Sequence, residues 1–209
     1  MKKHQTQPQV LGVILANTPG SRINYTDRCP KKLMGKPIVS HIIEHTSPQV
    51  TQLILNANGD PTRFENIDIP IVPDAINDHP EVLSGILTGM EWAQDHMPDC
   101  QWVASFGINS PLIPDNLVER LFAAIQTDQS DMAYVSCNGR SHPEFGLWPV
   151  ELATDLRYAL EEDGIKRIEK WYSLYNPSIC SYLSDTVDCF SNTNLIHEII
   201  GTGKDSGLH

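Results

Sequence analysis

The sequence predicts an α/β protein in which helices cover both faces of a mostly parallel sheet, giving three layers. Short apolar runs alternate with segments of helical periodicity. Several of these runs are apolar at nearly every position, which is typical of strands buried on both faces. A chain of 209 residues can bury one sizeable core. We therefore expect a single domain over residues 1–209, with its core at about 10–200 and tails at 1–9 and 201–209.

The first half of the chain begins with a buried strand. Residues 10–16 form a continuous apolar run, which ends at the turn residues 17–21. Pro37 can occupy the first position of a helix, and this predicts a helix over residues 38–46. The other elements predicted in this half are strands at 51–56 and 69–72 and a helix at 81–94.

The second half continues the alternation of strands and helices. The segment 114–126 opens with Pro and Asp and then places its apolar residues on one helical face. The predicted elements are strands at 102–106, 131–136, 144–150 and 186–190, and helices at 114–126, 151–160, 165–174 and 192–200. This order favours parallel strands that are joined by helical crossovers.

The charge of the chain is unevenly distributed. The whole chain has a net charge of -11 and a pI near 5.0, which argues against nucleic acid and anionic membranes as partners. Residues 1–36 nevertheless hold seven basic residues against one acidic residue. A basic segment in an acidic protein indicates an anionic ligand.

Other features of the composition narrow the class of protein. No apolar run approaches the ~18 residues that predict a membrane-spanning helix, and the N-terminal residues lack the apolar run of a signal peptide. The five cysteines include no C-x-x-C pair, which argues against a zinc knuckle or a disulfide framework. We therefore expect a cytoplasmic protein with reduced cysteines.

Polar residues follow several of the predicted strands. In open α/β sheets, ligands bind beyond the carboxyl ends of the strands. The segments that qualify are the loop 17–21, Asn56-Ala57-Asn58, the region of Asp74, and the loop 107–111. Backbone N–H groups of the first loop, with the arginines and lysines after it, can hold phosphate. Amides and carboxylates can bind a base or a ribose. Each segment can equally be an ordinary loop, turn or helix cap.

The sequence His41-Ile42-Ile43-Glu44-His45 matches the H-x-x-E-H pattern of some zinc enzymes. Helical spacing places the two histidines on one face, as two zinc ligands require. The segment is short and lies between apolar strands, so polar side chains on a partly exposed helix are the interpretation that we prefer.

Taken together, the motifs resemble those of the bacterial molybdenum cofactor guanylyltransferases, which are MobA-like nucleotidyltransferases. The family's Leu-Ala-Gly-Gly, Arg-Met-Gly, Asp-Lys and Gly-Lys-Pro motifs correspond, at the same spacing, to Leu15-Ala16-Asn17-Thr18, Arg22-Ile23-Asn24, Asp27-Arg28 and Gly35-Lys36-Pro37. Later motifs correspond to Asn56-Ala57-Asn58, Asp74, the segment 81–85, Ile108-Asn109-Ser110-Pro111, His142-Pro143 and Asn192-Thr193. The likeness covers about residues 12–199, and the chain is a divergent member.

The resemblance implies a Rossmann-like nucleotidyltransferase fold and a specific reaction. Such enzymes transfer GMP from GTP to the molybdopterin cofactor and release pyrophosphate. By resemblance, the catalytic residues are Arg22 and Arg28, and the metal ligand for Mg²⁺ is Asn109. The nucleotide-binding residues are then Leu15, Ala16, Asn17, Arg28, Asn56, Asp74 and Asn109. The resemblance also leaves open a molybdoenzyme or a chaperone as a protein partner.

The chain departs from the family pattern at three of these motifs. Asn17-Thr18 stands in place of Gly-Gly, Arg28 in place of Lys, and Asn109 in place of Asp. A neutral amide binds Mg²⁺ less strongly than a carboxylate does, so we expect a weakened Mg²⁺ site. Two alternatives stay open. One is a nucleotide- or cofactor-binding relative without turnover, and the other is a nucleotidyltransferase for another phosphorylated substrate, such as a sugar or polyol phosphate.

Overall fold

A seven-stranded sheet lies at the centre of the computed structural model, which describes residues 8–16, 32–64, 67–76, 82–184 and 190. The strands are β1 (Gln9–Leu15), β2 (Lys32–Leu33), β3 (Lys36–Pro37), β4 (Gln52–Asn56), β5 (Ile71–Val72), β6 (Cys100–Gly107), β7 (Met132–Cys137), β8 (Arg140–Pro149) and β9 (Pro177–Tyr182). The helices are α1 (Ile38–Thr46), α2 (Val82–His96), α3 (Leu117–Asp128), α4 (Ala153–Glu161) and α5 (Ile168–Tyr172). Short 3₁₀ helices lie at Ser47–Gln49, Pro61–Phe64 and Val150–Leu152.

The strand order of the sheet is β5-β4-β1-β6-β8-β7-β9, and β2 pairs with β3 in a separate hairpin. Strands β5, β4, β1 and β6 are parallel to one another, and β9 is parallel to β7. Only β8 runs antiparallel to its two neighbours, β6 and β7. The prediction of a mostly parallel sheet is therefore confirmed.

Apolar side chains from both faces of the sheet are buried under helices. On one face, Ile14 and Phe106 pack with residues of α1 and α3. On the other face, Val13 and Val103 pack with residues of α2, α4 and α5. Both faces of β1 and of the second half of β6 are covered, so β1 is buried from Val10 to Leu15 and reads as a continuous apolar run, and β6 is buried from Val103 to Gly107. The three-layer arrangement is confirmed.

Most predicted elements are present with shifted ends, and three strands were not predicted, the short strands β2 and β3 and the strand β9. Strand β9 begins with proline, and its buried residues Ser178, Cys180 and Tyr182 alternate with the more exposed Pro177, Ile179 and Ser181. Strand β8 begins at Arg140 rather than at 144, since it also pairs with β7 across a short turn at Asn138 and Gly139. The strand predicted at 144–150 therefore begins four residues too late.

The helix predicted at 165–174 is confined to α5, Ile168–Tyr172. Gly164 has a φ of +61° and Arg167 is extended, so the helical backbone cannot start before Ile168. Pro37 is the residue that caps α1 rather than its first helical residue, a shift of one position. It follows the turn at Met34 and Gly35, both of which have positive φ values.

Some predictions fall outside the described residues: the loop at 17–21, the strand at 186–190 except for Phe190, the helix at 192–200 and the tail at 201–209. The tail predicted at 1–9 is described only at residues 8 and 9, and it is too long by one residue, because Gln9 is the first residue of β1. Within the described part, no helix has the length and hydrophobicity needed to cross a membrane. Cys100, Cys137 and Cys180 are buried in the interior, and burial raises the pKa of the Cys100 thiol.

A bidentate ion pair joins α4 to α2. Arg157 Nε and Nη2 donate to the two carboxylate oxygens of Glu91 at 2.7 and 2.8 Å, and Nη1 donates to Glu161 at 2.7 Å. These hydrogen bonds raise the pKa of the Arg157 guanidinium. We expect Arg157→Lys to lower the free energy of unfolding more than the same change at Arg167 does, because lysine loses the fork geometry. The loss should still be less than about 1 kcal/mol, because the site is partly exposed.

Urea unfolding at low and high salt measures this effect. The control is Arg167→Lys, since Arg167 is 72% exposed and its nitrogen lies 3.6 Å from Glu169. A loss at Arg157 no larger than that at Arg167 would contradict the expectation.

Candidate functional site

Backbone hydrogen bonds bring the carboxyl ends of four parallel strands to one edge of the sheet. The Ala16 N–H after β1 donates to the Asn56 carbonyl at the end of β4, at 3.0 Å. The Ala57 N–H donates to the Val72 carbonyl of β5 at 3.1 Å. The Ile108 N–H after β6 donates to the Leu15 carbonyl at 3.3 Å. The residues that follow these strands are thereby neighbours, and we call this edge the carboxyl edge.

Asp74 lies at the carboxyl edge with both carboxylate oxygens hydrogen-bonded to asparagine side chains. Asn56 Nδ2 donates to Oδ1 at 2.9 Å, and Asn58 Nδ2 donates to Oδ2 at 2.6 Å. The Asn58 side-chain oxygen in turn accepts from the Asp74 backbone N–H at 2.8 Å. Asp74 is only 6% exposed. The two amides thus fix the orientation of a buried negative charge.

Asn56 has its amide directed into the protein. The residue is 1% exposed, and besides Asp74 its Nδ2 donates to the Val72 carbonyl at 3.2 Å. Gly85 of α2 packs against the other end of the amide: a Cβ at this position would lie 2.6 Å from Asn56 Oδ1. The structure therefore brings together the predicted residues Asn56 and Asp74, and it shows that Asn56 holds Asp74 in place.

Two hydroxyl residues of α2 support this cluster: Ser84, which lies in the motif segment 81–85, and Thr88, which was not predicted. Thr88 Oγ1 accepts from the Ala75 N–H at 2.8 Å and donates to the Ser84 carbonyl at 2.8 Å. Ser84 Oγ donates to the Ile76 carbonyl at 3.3 Å. The signal in the sequence is a pair of hydroxyl residues spaced by four on the buried face of an apolar helix, where they require partners. They hold the chain after Asp74 against α2.

The loop after β6 carries Asn109 at the carboxyl edge. Asn109 is half-buried, between the buried residues Ile108 and Ser110. Ser110 Oγ donates to the Phe190 carbonyl at 2.8 Å, which fixes the loop. The amide oxygen of Asn109 is a suitable ligand for a hard cation such as Mg²⁺, although a neutral one. Among the described residues there is no group of three or more His, Cys, Asp or Glu side chains that could hold a metal ion.

His142 and Glu144 of β8 lie beside this loop. His142 is 3% exposed, and its ring centroid lies 5.9 Å from that of Phe190. Its Nδ1 lies 3.5 Å from Glu144 Oε1, and the Glu144 side chain is 29% exposed. A Cβ on Gly107, the last residue of β6, would lie 3.0 Å from Glu144 Cγ. The Glu144 side chain therefore packs against the carboxyl end of β6.

The histidines of the H-x-x-E-H segment have separate partners. His41 Nε2 donates to the Leu33 carbonyl at 3.0 Å, whereas His45 Nδ1 lies 2.7 Å from the Asp115 carboxylate. Lys36 Nζ donates a hydrogen bond to Glu44 in an ion pair, and this hydrogen bond lowers the pKa of the Glu44 carboxyl. The preferred interpretation, polar side chains on a partly exposed helix, agrees with these contacts.

Three predicted site residues, Asn17, Arg22 and Arg28, lie outside the described part of the chain. Their roles stay predictions. Leu15 and Ala16, which precede them, are buried at the centre of the carboxyl edge, with Ala16 joined to β4 through its backbone. Whatever binds at Leu15 and Ala16 contacts the backbone rather than an exposed side chain.

Comparison with known proteins gives concordant results. Residues 12–175 match the family model of the MobA-like NTP transferase domain. A molybdenum cofactor guanylyltransferase of Rhodopseudomonas palustris is 34% identical over 192 residues, which are 92% of this chain and 91% of that protein. A molybdenum cofactor guanylyltransferase of Cereibacter sphaeroides is 38% identical over 149 residues, which are 71% of this chain and 73% of that protein.

Solved structures show the same fold at low sequence identity. The molybdopterin-guanine dinucleotide biosynthesis protein A of Archaeoglobus fulgidus has a TM-score of 0.61 at 14% identity, covering 93% of this chain and 88% of that chain. The three-layer arrangement with a mostly parallel sheet is thus shared with this protein.

Proposed function

Since the chain belongs to the MobA-like NTP transferase family, we propose that it is a molybdenum cofactor guanylyltransferase, which transfers GMP from GTP to the molybdopterin cofactor. The observation that carries the proposal is the likeness to enzymes of that name along nearly the whole chain. The cluster of Asn56, Asn58 and Asp74 at the carboxyl edge supports it, because it is a rigid acceptor where nucleotides bind in open α/β sheets.

In this proposal Asp74 accepts hydrogen bonds from the nucleoside of GTP. A carboxylate is an acceptor only, so it fits the N–H groups of guanine or the hydroxyl groups of ribose. Asn56 and Asn58 keep the carboxylate in one orientation, so little ordering is needed when the nucleotide binds. Asn56 is then a positioning residue, since its amide contacts Asp74 and the Val72 carbonyl.

The triphosphate lies in this proposal over the backbone after β1, where Leu15 and Ala16 lead into Asn17, Arg22 and Arg28. A phosphate oxygen of the acceptor attacks the α-phosphorus of GTP in line, the bond to the β-phosphate breaks, and pyrophosphate leaves. Such transfers depend on positioning and electrostatics, which the arginines supply to the phosphates. Mg²⁺ would neutralise phosphate charge, and the amide oxygen of Asn109 would hold it.

Asn109 is also the reason to keep a second candidate function. A neutral side chain at the position where the family has Asp favours a relative that binds nucleotide or cofactor without turnover. Such a protein would act by presenting its ligand to a molybdoenzyme or a chaperone. Both candidates consume or hold GTP and would act in the cytoplasm.

The test is a pyrophosphate release assay with GTP, Mg²⁺ and molybdenum cofactor. We expect release with GTP, and little or none when ATP or CTP replaces it. Calorimetry with GTP runs in parallel to separate binding from turnover. GTP binding without pyrophosphate release would overturn the enzyme in favour of the second candidate. Release from another phosphorylated acceptor, such as a sugar phosphate, would instead identify a different transferase.

A further inference from the structure

Strand β8 contains a three-residue bulge at the carboxyl edge. Tyr134 of β7 pairs with Gly146, but the next β7 residue, Val135, pairs with His142. Residues 143–145 of β8 therefore have no register partner on β7. Bulges bend a strand and re-aim its side chains, and they are frequent beside active sites.

The bulge carries Glu144 to the end of β6. A Cβ on Gly107 would lie 3.0 Å from Glu144 Cγ, so glycine leaves the space that this side chain occupies. Asn109 follows Gly107 by two residues in the loop that ends β6. The Glu144 carboxylate is partly exposed, and its Oε1 lies 3.5 Å from Nδ1 of the buried His142. Glu144 of β8 and Asn109 of the loop after β6 thus both lie near the end of the same strand.

We propose that Glu144 supplies the carboxylate ligand of the divalent cation that accompanies the nucleoside triphosphate, with the Asn109 amide oxygen beside it. Magnesium in phosphate-transfer sites is held by one or two carboxylates together with phosphate oxygens. The Asn109 amide is neutral, and in this proposal Glu144 of the neighbouring strand β8 supplies the negative charge. His142 is a positioning residue for this carboxylate, as outer partners of metal ligands commonly are.

This inference rests on the proposed function, because it requires that the chain bind a nucleoside triphosphate. The measurement is the affinity for GTP by calorimetry with and without Mg²⁺, in the absence of acceptor, so that no turnover occurs. The quantity of interest is the gain in affinity that Mg²⁺ produces. The variants are Glu144→Gln, Glu144→Asp and Glu144→Gln combined with Asn109→Asp. The control, Glu162→Gln, removes the same charge from an exposed position after α4.

We expect Glu144→Gln to reduce the Mg²⁺-dependent gain at least about tenfold, and Glu162→Gln to leave it unchanged. The added Asn109→Asp should restore it, because a carboxylate returns to the same edge. Glu144→Asp keeps the charge on a side chain that is shorter by one methylene, so it should give an intermediate gain. This variant also tests the inference if the glutamine variant does not fold. Thermal melting checks the folding of each.

Two results would overturn the inference, and they are distinguishable. If the unmodified chain binds GTP with a Mg²⁺-dependent gain and Glu144→Gln keeps that gain, Glu144 is not a ligand while the proposed function stands. If the unmodified chain binds no GTP with or without Mg²⁺, both the inference and the proposed function fail.

Discussion

Replacing Gly85 with alanine is expected to weaken GTP binding at least about tenfold. The new Cβ would lie 2.6 Å from Asn56 Oδ1 and 2.5 Å from Leu15 Cδ2, and both of these residues are almost fully buried. Strand β4 and helix α2 are closely packed, so moving them apart would cost packing energy. The Asn56 side chain must therefore move instead, and its hydrogen bond to Asp74 is lost. The gain in helix propensity of about 1 kcal/mol opposes a strain of about 1–3 kcal/mol from overpacking.

The matched control is Gly89→Ala, one turn further along the same helix. Its Cβ would lie 2.4 Å from Val13 Cγ2 and 3.2 Å from Val103 Cγ1, so the clash is purely apolar. We expect a comparable loss of thermal stability with GTP affinity retained. Calorimetry and thermal melting of both variants make the comparison. Equal effects of both variants on GTP affinity would show that the Asn56 amide does not matter to binding.

Asp74→Asn is expected to abolish measurable GTP binding and to destabilise the fold. One carboxylate oxygen becomes an NH₂ group, which then faces the NH₂ group of Asn56 or Asn58. A buried donor left without an acceptor costs about 1–3 kcal/mol. The nucleoside loses its charged acceptor at the same time. Urea unfolding measures the loss of stability, and calorimetry with GTP measures the loss of binding.

The control for Asp74→Asn is Asp95→Asn, which makes the same chemical change at an exposed position near the end of α2. We expect it to leave both the unfolding free energy and the GTP affinity within error. If Asp74→Asn binds GTP as the unmodified chain does, the nucleoside is held elsewhere and the assignment of this cluster is wrong.

The position of the carboxyl edge could be predicted from the sequence because its determinants are local. The buried strands β1, β4 and β6 are apolar runs, and parallel strands bring the residues that follow them to one edge. This rule predicts that Asn56, Asp74 and Asn109 lie along one edge of the sheet. The resemblance to a family then gave these positions roles that spacing alone could not supply.

The orientation of individual side chains could not be predicted, since it depends on contacts between distant segments. Asn56 is directed inward because Gly85, far along the chain, leaves room for its amide. The bulge that places Glu144 arises from the pairing of β8 with β7, and no residue pattern within 143–145 indicates it. Strand β9 was missed because it is short, begins with proline and has two serines among its apolar residues, so its pairing with β7 rather than its own residue pattern defines it.

The antiparallel placement of β8 has a consequence for how the protein folds. The strands β5, β4, β1 and β6 precede residue 108, whereas β8, β7 and β9 follow residue 131. Within the described sheet, the β6–β8 pairing alone joins these two groups. The β7–β8 hairpin closes through a short turn and can form early, because its contacts are local. Docking of that hairpin onto β6 is a long-range event. Gly107 and Glu144 meet across this seam, so we expect the part of the site around them to be completed only at a late stage of folding.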